Sequence, residues 1–211
     1  PINLITSLIF WHADYEPVSN ILGLIVADIG NPFYAKLARG IEDKASKEGY
    51  DLIICSSDEK VQREAKLINM LRDRQIDGLI ISSTQDAKSE TINLIHEKFP
   101  VVLIDRYFPN VEANAVIVDN TKAAYDATNH LIGQSFTKIA LLTISPSHIS
   151  SLNERMEGYK KALNENGISV SNELIYEVPF DDINTGVQQA INHFISKQAD
   201  AIFALNNNLT M

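Results

Sequence analysis

The side chains able to hold a small polar molecule are clustered along this chain. Hydroxyl, amide and carboxylate groups gather at 28–34, 56–58, 82–85, 105–109, 119–120, 143–151, 179–182 and 205–208, with Phe33, Tyr34 and Phe180 among them. A ring face beside several fixed hydrogen-bonding groups suits a flat or ring-shaped polar ligand such as a sugar or a nucleobase. Polar loops and helix caps have a similar composition in any α/β protein, and Phe or Tyr just inside a helix is often core. Composition therefore leaves both readings open.

Covalent or metal chemistry has less to work with. The five histidines, His12, His96, His130, His148 and His193, lack metal-ligand spacing. Neither a Gly-rich phosphate loop nor a Gly-x-Ser-x-Gly turn occurs. No catalytic residue, metal or cofactor is expected, and an enzyme is the least favoured class.

The polar segments are placed by a repeating pattern. Short apolar runs at 21–26, 52–55, 78–81, 101–104, 115–118, 138–142, 174–178 and 201–204 alternate with longer stretches of helical periodicity, as parallel strands joined by crossover helices require. Several runs are apolar throughout, which fits strands covered on both faces. The first helix has Asn31 as N-cap, Pro32 at its first position, Leu37, Ile41 and Ala45 on one face, and Gly49 as its stop. Further helices are predicted at 60–74 (Ala65, Ile68, Leu71), 87–98 (Ile92, Ile95), 121–132, 152–166 and 183–197 (Val187, Ile191, Phe194). Right-handed crossovers wind such helices onto both faces of a parallel sheet, and ligands bind beyond the carboxyl ends of its strands. The polar segments fall at those ends.

A chain of 211 residues with 45% hydrophobic content can bury one sizeable core or two modest ones. Its formal net charge of -9 argues against a surface that neutralises many phosphates, so these residues alone should bind DNA poorly. The single cysteine, Cys55, excludes an internal disulfide and fits a reducing, cytoplasmic setting, although many extracytoplasmic bacterial proteins also lack disulfides. The apolar stretch at 4–11 is too short to span a bilayer. No basic stretch precedes it and no small-residue cleavage site closes it, so no secretory signal is visible, as would also hold for a mature protein whose signal had been removed.

Five blocks in order resemble the lactose-repressor family of transcriptional regulators and the related periplasmic sugar-binding proteins. They are Gly23-Leu-Ile-Val-Ala-Asp-Ile-Gly-Asn-Pro-Phe-Tyr34, Asp77-Gly-Leu-Ile-Ile81, Pro100-Val-Val-Leu-Ile-Asp-Arg106, Val118-Asp119-Asn120 ahead of a helix, and Arg155-x-x-Gly158-Tyr159-x-x-Ala162-Leu163. The resemblance implies an α/β fold of the periplasmic-binding-protein type I kind, with two doubly wound parallel-sheet lobes closing on an effector held between them. It divides the chain into an irregular N-terminal segment at 1–20, a first lobe at 21–117 and a partial second lobe at 118–211. On this reading the second lobe and the family's C-terminal return to the first lobe are truncated. The helix-turn-helix and basic hinge that read an operator are missing as well, since residues 1–20 hold no Lys or Arg.

The resemblance also implies which residues bind the ligand. Phe33 and Tyr34 occupy aromatic positions that stack on the effector, with core packing as the alternative. Asp105 and Arg106 stand where sugar-binding relatives set a carboxylate and a guanidinium on hydroxyls, with an exposed ion pair as the alternative. Phe180 falls near an aromatic wall of the second lobe, and Asn206 matches a ligand-contacting amide. The family often has an arginine shortly before the Arg-x-x-Gly-Tyr block, but 147–151 contains none, and Ser151 or His148 takes its place. That loss disfavours a carboxylate-bearing ligand. Asn207 stands where an acidic residue is usual, and Arg155 reads as a residue that pairs within its own lobe.

The implied function is the effector-sensing and dimerisation domain of a transcriptional repressor that takes a small sugar or nucleobase-like effector. Such a protein works as a homodimer, meets operator DNA only through the missing helix-turn-helix, and has no membrane partner. The alternative is an extracytoplasmic sugar-binding protein that serves a transporter.

Overall fold

The structure, a computed structural model, describes residues 19–85, 89–145 and 149–210. Residues 1–18 of the segment read as linker, the helix start placed at Ala87, and His148 as a replacement contact lie outside the described residues.

Eight strands form among the described residues: β1 (Ile21–Val26), β2 (Asp51–Ser56), β3 (Gly78–Ile81), β4 (Val101–Ile104), β5 (Asn114–Val116), β6 (Ile139–Ile144), β7 (Ile175–Val178) and β8 (Ala201–Ala204). The α-helices among them are α1 (Pro32–Lys47), α2 (Val61–Asp73), α3 (Glu90–His96), α4 (Asn120–Gly133), α5 (Ser150–Glu165) and α6 (Ile183–Ser196). The chain divides into two compact units, 1–117 and 118–211. The first holds a parallel sheet in the order β2-β1-β3-β4-β5, the second a parallel sheet in the order β7-β6-β8.

In the first unit, strand alternation divides the core between two faces. Leu24, Val26, Ile80 and Ile104 meet Tyr34, Ala38 and Ile41 of α1. On the opposite face, Ile25, Leu79, Ile81 and Leu103 meet Ile68 and Leu71 of α2 and Leu94 of α3. Helix α1 follows its sequence punctuation: the Phe33 N–H donates to the Asn31 side chain at 2.9 Å, Pro32 begins the helix, and Gly49 beyond its end takes a φ of 81°.

Two helices bury a face one residue removed from the predicted stripe. In α3, Thr91 and Leu94 are buried while Ile92 and Ile95 are only partly so, because Ser89 caps the helix late and Thr91 turns into a polar network. In α6, Gly186 and Ala190 face inward one residue ahead of Val187 and Ile191, while Phe194 is buried as predicted. A Cβ at Gly186 would stand 2.4 Å from Val178 Cγ1, so the missing side chain lets α6 lie against β7.

Each unit repeats one carboxylate staple. Asp77, just before β3, accepts from the Ser19 and Asn20 amides ahead of β1 at 3.3 and 2.7 Å. Asp200, just before β8, accepts from the Thr137 and Lys138 amides ahead of β6 at 2.8 and 2.9 Å. Some loss of solvation works to raise the Asp200 pKa, but the amide donors outweigh it and hold the carboxyl below its ordinary range.

The Arg-x-x-Gly-Tyr-x-x-Ala-Leu block has a packing explanation. A Cβ on Gly158 would meet the Thr121 carbonyl oxygen at 2.2 Å and the Tyr125 nitrogen at 2.9 Å, so glycine lets the α5 backbone approach α4. Tyr159 is fully buried and its hydroxyl donates to the Ile139 carbonyl at 2.8 Å; burial pushes its phenol up to about 12. Ala162 and Leu163 are buried on the same helix. Arg155 donates to Asn120 Oδ1 at 2.9 Å and to the Leu205 carbonyl at 2.6 Å, all within its own unit.

A Gly158→Ala substitution should therefore lower the unfolding free energy by about 1–3 kcal/mol in urea titration, through overpacking against backbone. Gly133→Ala, where the new methyl meets nothing within 4 Å, should be neutral or slightly stabilising. Equal effects at the two sites would contradict the close approach.

Candidate functional site

Four of the seven residues implied as ligand contacts, Phe33, Tyr34, Asp105 and Arg106, gather at the carboxyl ends of β1 and β4. The turn leaving β1 is drawn tight by Asp28, whose carboxylate accepts from the Gly30 amide at 2.8 Å. Asn31 then starts α1 so that Phe33 and Tyr34 fall in its first turn, and the two rings part ways. Phe33 is 43% exposed, whereas Tyr34 is buried with its ring edge-on to Phe33 at 5.0 Å. The Tyr34 hydroxyl lies 2.9 Å from Ser82 Oγ beyond β3 and donates to Asp105 Oδ2 at 3.1 Å beyond β4. Burial raises the phenol pKa well above its ordinary value against the opposing pull of Arg106, so the group remains a donor.

Arg106 is no surface ion pair. Its side chain is 6% exposed and that of Glu59 is 7%. Arg106 Nη1 donates to Glu59 Oε2 at 2.8 Å and Nη2 to Oε1 at 2.5 Å, a bidentate fork. Nη1 also donates to the Ser83 carbonyl at 3.2 Å, and Nε lies 3.5 Å from Asp105 Oδ2. Burial works against the guanidinium charge, but the Glu59 and Asp105 carboxylates that face it favour that charge, and the pKa rises above an already high ordinary value.

Glu59 reaches Arg106 through an uncommon backbone. Asp58 and Glu59 both take positive φ, 53° and 54°, and Asp105 takes 64°. Such conformations cost about 1 kcal/mol or more for a residue with a side chain and persist only where surrounding contacts hold them. Here Ser56 Oγ donates to Asp58 at 2.7 Å, the Ser57 amide donates to the Val26 carbonyl at 2.9 Å, and the Asp105 amide to the Val116 carbonyl at 3.0 Å.

Behind this cluster lies a second buried carboxylate. Glu64, 1% exposed on α2, accepts from Ser83 Oγ at 2.9 Å, Ser89 Oγ at 2.7 Å, Thr91 Oγ1 at 3.0 Å and the Thr84 amide at 2.6 Å. It therefore fixes the loop leaving β3, the same loop that offers Ser82 to Tyr34 and the Ser83 carbonyl to Arg106. Sequence reasoning did not single out Glu59, Glu64 or Ser82. Glu64 had a signal, since it shares the stripe of Ile68 and Leu71 at spacings of four and three, where a charge is out of place unless it is paired.

The other three implied contacts belong to the second unit. Ser151 is buried in the first turn of α5, at 3% exposure. Phe180 is partly buried in a 3-10 turn after β7 and packs on that unit's core. Asn206 follows β8 and caps the next turn, its side-chain oxygen accepting from the Asn208 amide at 2.8 Å. Among the described residues no group of His, Cys, Asp and Glu is placed to hold a metal ion. None of the described helices is long and apolar enough to cross a membrane.

Residues 19–211 match the family of periplasmic binding proteins and the sugar binding domain of the LacI family, and the chain belongs to that family. It is 29% identical over 194 residues to the HTH-type transcriptional regulator DegA of Bacillus subtilis, covering 90% of this chain and 57% of the relative. It is 33% identical over 155 residues to a ribose operon repressor of Halalkalibacterium halodurans, covering 74% of this chain and 45% of the relative. The crystal structure of a LacI family transcriptional regulator from Enterococcus faecium with bound ribose aligns with a TM-score of 0.74 and 28% identity, over 90% of this chain and 68% of that one. The chain thus spans about half the length of these two relatives. Its parallel α/β architecture is that of the effector-binding domains of LacI-family regulators.

Replacing Glu64 by Gln should cost about 1.5–3 kcal/mol of stability, because hydrogen bonds to a buried charge are worth more than neutral ones. Amide hydrogen exchange at Thr84 should quicken beyond what the global loss explains. Unchanged stability and exchange would show that Glu64 does not hold the loop.

Proposed function

We propose that this chain is the effector-sensing part of a transcriptional repressor, that it has no catalytic role, and that its effector is a small sugar. The observation that carries this reading is the group at the carboxyl ends of the first sheet: an exposed Phe33 ring beside a hydrogen-bonded set of Tyr34, Ser82 and Asp105. A ring face covers the C–H surface of a sugar while fixed polar atoms select the directions of its hydroxyls. Asp105, beside the buried Arg106, supplies a charge-assisted acceptor from a nearly dry setting, where each hydrogen bond counts for more. Phe180, Asn206 and Ser151 are the second unit's candidate contacts.

Membership of a family that includes the sugar binding domain of the LacI repressors supports the sugar class. The regulators among its relatives favour control of transcription over delivery to a transporter. A protein of this kind works in the cytoplasm as a homodimer. With a net charge of -9, these residues leave operator binding to a helix-turn-helix outside them.

The test is thermal unfolding of the intact protein against a panel of neutral pentoses, hexoses and nucleobases. A cognate sugar at a hundred times its Kd should add about 2.7 kcal/mol, a rise of several degrees in Tm. Phe33→Ala and Asp105→Ala should each abolish the shift. A shift that survives both substitutions, or one produced by no sugar in the panel, would contradict the proposal.

A further inference from the structure

Arg106 is the only buried cation among the described residues at this end of the first sheet, and its charge is already answered. Both terminal nitrogens hold Glu59, one of them also holds the Ser83 carbonyl, and Nε, which makes no hydrogen bond, lies 3.5 Å from Asp105 Oδ2. With one guanidinium and two carboxylates, the trio carries one net negative charge. A phosphate or carboxylate brought to it would face that net charge in a poorly solvated setting, and the guanidinium face formed by the two terminal nitrogens is already taken by Glu59. An uncharged hydroxyl meets no such penalty: Asp105 accepts from it, and Tyr34 and Ser82 complete the set.

We infer that Glu59 is a specificity-determining residue which, by holding Arg106 in a bidentate pair, restricts the effector to uncharged polyhydroxy sugars and rejects their phosphate esters and acids. This rests on the reading of the first sheet's carboxyl ends as the sugar site. Glu59 need not touch the sugar. It acts by occupying the one group that would otherwise draw an anion, a selection made by building repulsion against the wrong ligand. The left-handed backbone at Asp58 and Glu59 supports the assignment, because a strained turn that delivers a carboxylate to one guanidinium is hard to account for as a solvated loop.

The experiment uses the intact protein and inorganic phosphate as the probe, read by phosphorus NMR titration at constant ionic strength. Wild-type protein should show no saturable binding in the millimolar range. Glu59→Gln, which keeps the shape but removes the charge, should bind phosphate saturably and at least tenfold more tightly, and the double variant E59Q/R106Q should lose that binding. Saturable binding by wild-type protein that R106Q removes would overturn the inference, and this arm stands even if E59Q does not fold. Binding by E59Q no tighter than wild type would overturn it as well. Neutral sugars are titrated in parallel. Their failure to bind counts against the sugar reading alone, since the phosphate comparison depends only on the state of Arg106.

Discussion

A guanidinium cannot be moved out of water without an answering charge, and the carboxyl ends of the first sheet are arranged around that constraint. Stripping solvent from an ion costs several kcal/mol even after the protein relaxes, and removing one partner of a buried pair costs about 3–5 kcal/mol. Arg106 is buried at the end of β4, so Glu59 must come from the end of β2, Ser83 must present its carbonyl from the end of β3, and Asp105 must turn back beside it. Tyr34 ties the end of β1 into the same network through Asp105 and Ser82. Four loops from four strands are held in mutual register by one cation. Glu64 sits one layer deeper and does the same for the loop after β3. Phe33 leaves an exposed ring beside these groups.

The second unit begins on the same plan with different materials. A first strand is flanked by the two that follow it, and an aspartate before the third strand holds the backbone ahead of the first. Its family block describes packing more than recognition: Gly158 admits a neighbouring helix, Tyr159 carries a hydroxyl into the core for the Ile139 carbonyl, and Arg155 braces Asn120 and the end of β8.

Much of the architecture was legible because buried parallel strands are written as uninterrupted apolar runs. Ile21–Val26, Gly78–Ile81, Val101–Ile104 and Ala201–Ala204 form as read. β5 ends at Val116, two residues early, because it is an edge strand with one partner, and Ile117 and Val118 emerge 47% and 60% exposed. Asn31 was legible as a cap because capping is a local matter of side-chain oxygen and amide. The pairing of Glu59 with Arg106 was not, because 47 residues separate them and nothing in the composition of Ser-Asp-Glu-Lys declares two successive left-handed residues. For the same reason the Asp105–Arg106 block left a surface ion pair open, where the structure buries the pair. Burial of the pair is a property of three other loops.

The most direct measurement is a double-mutant cycle between Glu59 and Arg106, with the unfolding free energies of wild type, Glu59→Gln, Arg106→Gln and the double variant taken from urea titration. If the pair anchors the site, the single changes each destabilise strongly and the double change little more than either. The coupling energy is then about 2 kcal/mol or greater. Single-variant losses that add to within about 0.5 kcal/mol would mean that the two groups do not depend on one another, and the constraint placed at the centre of this structure would be the wrong one.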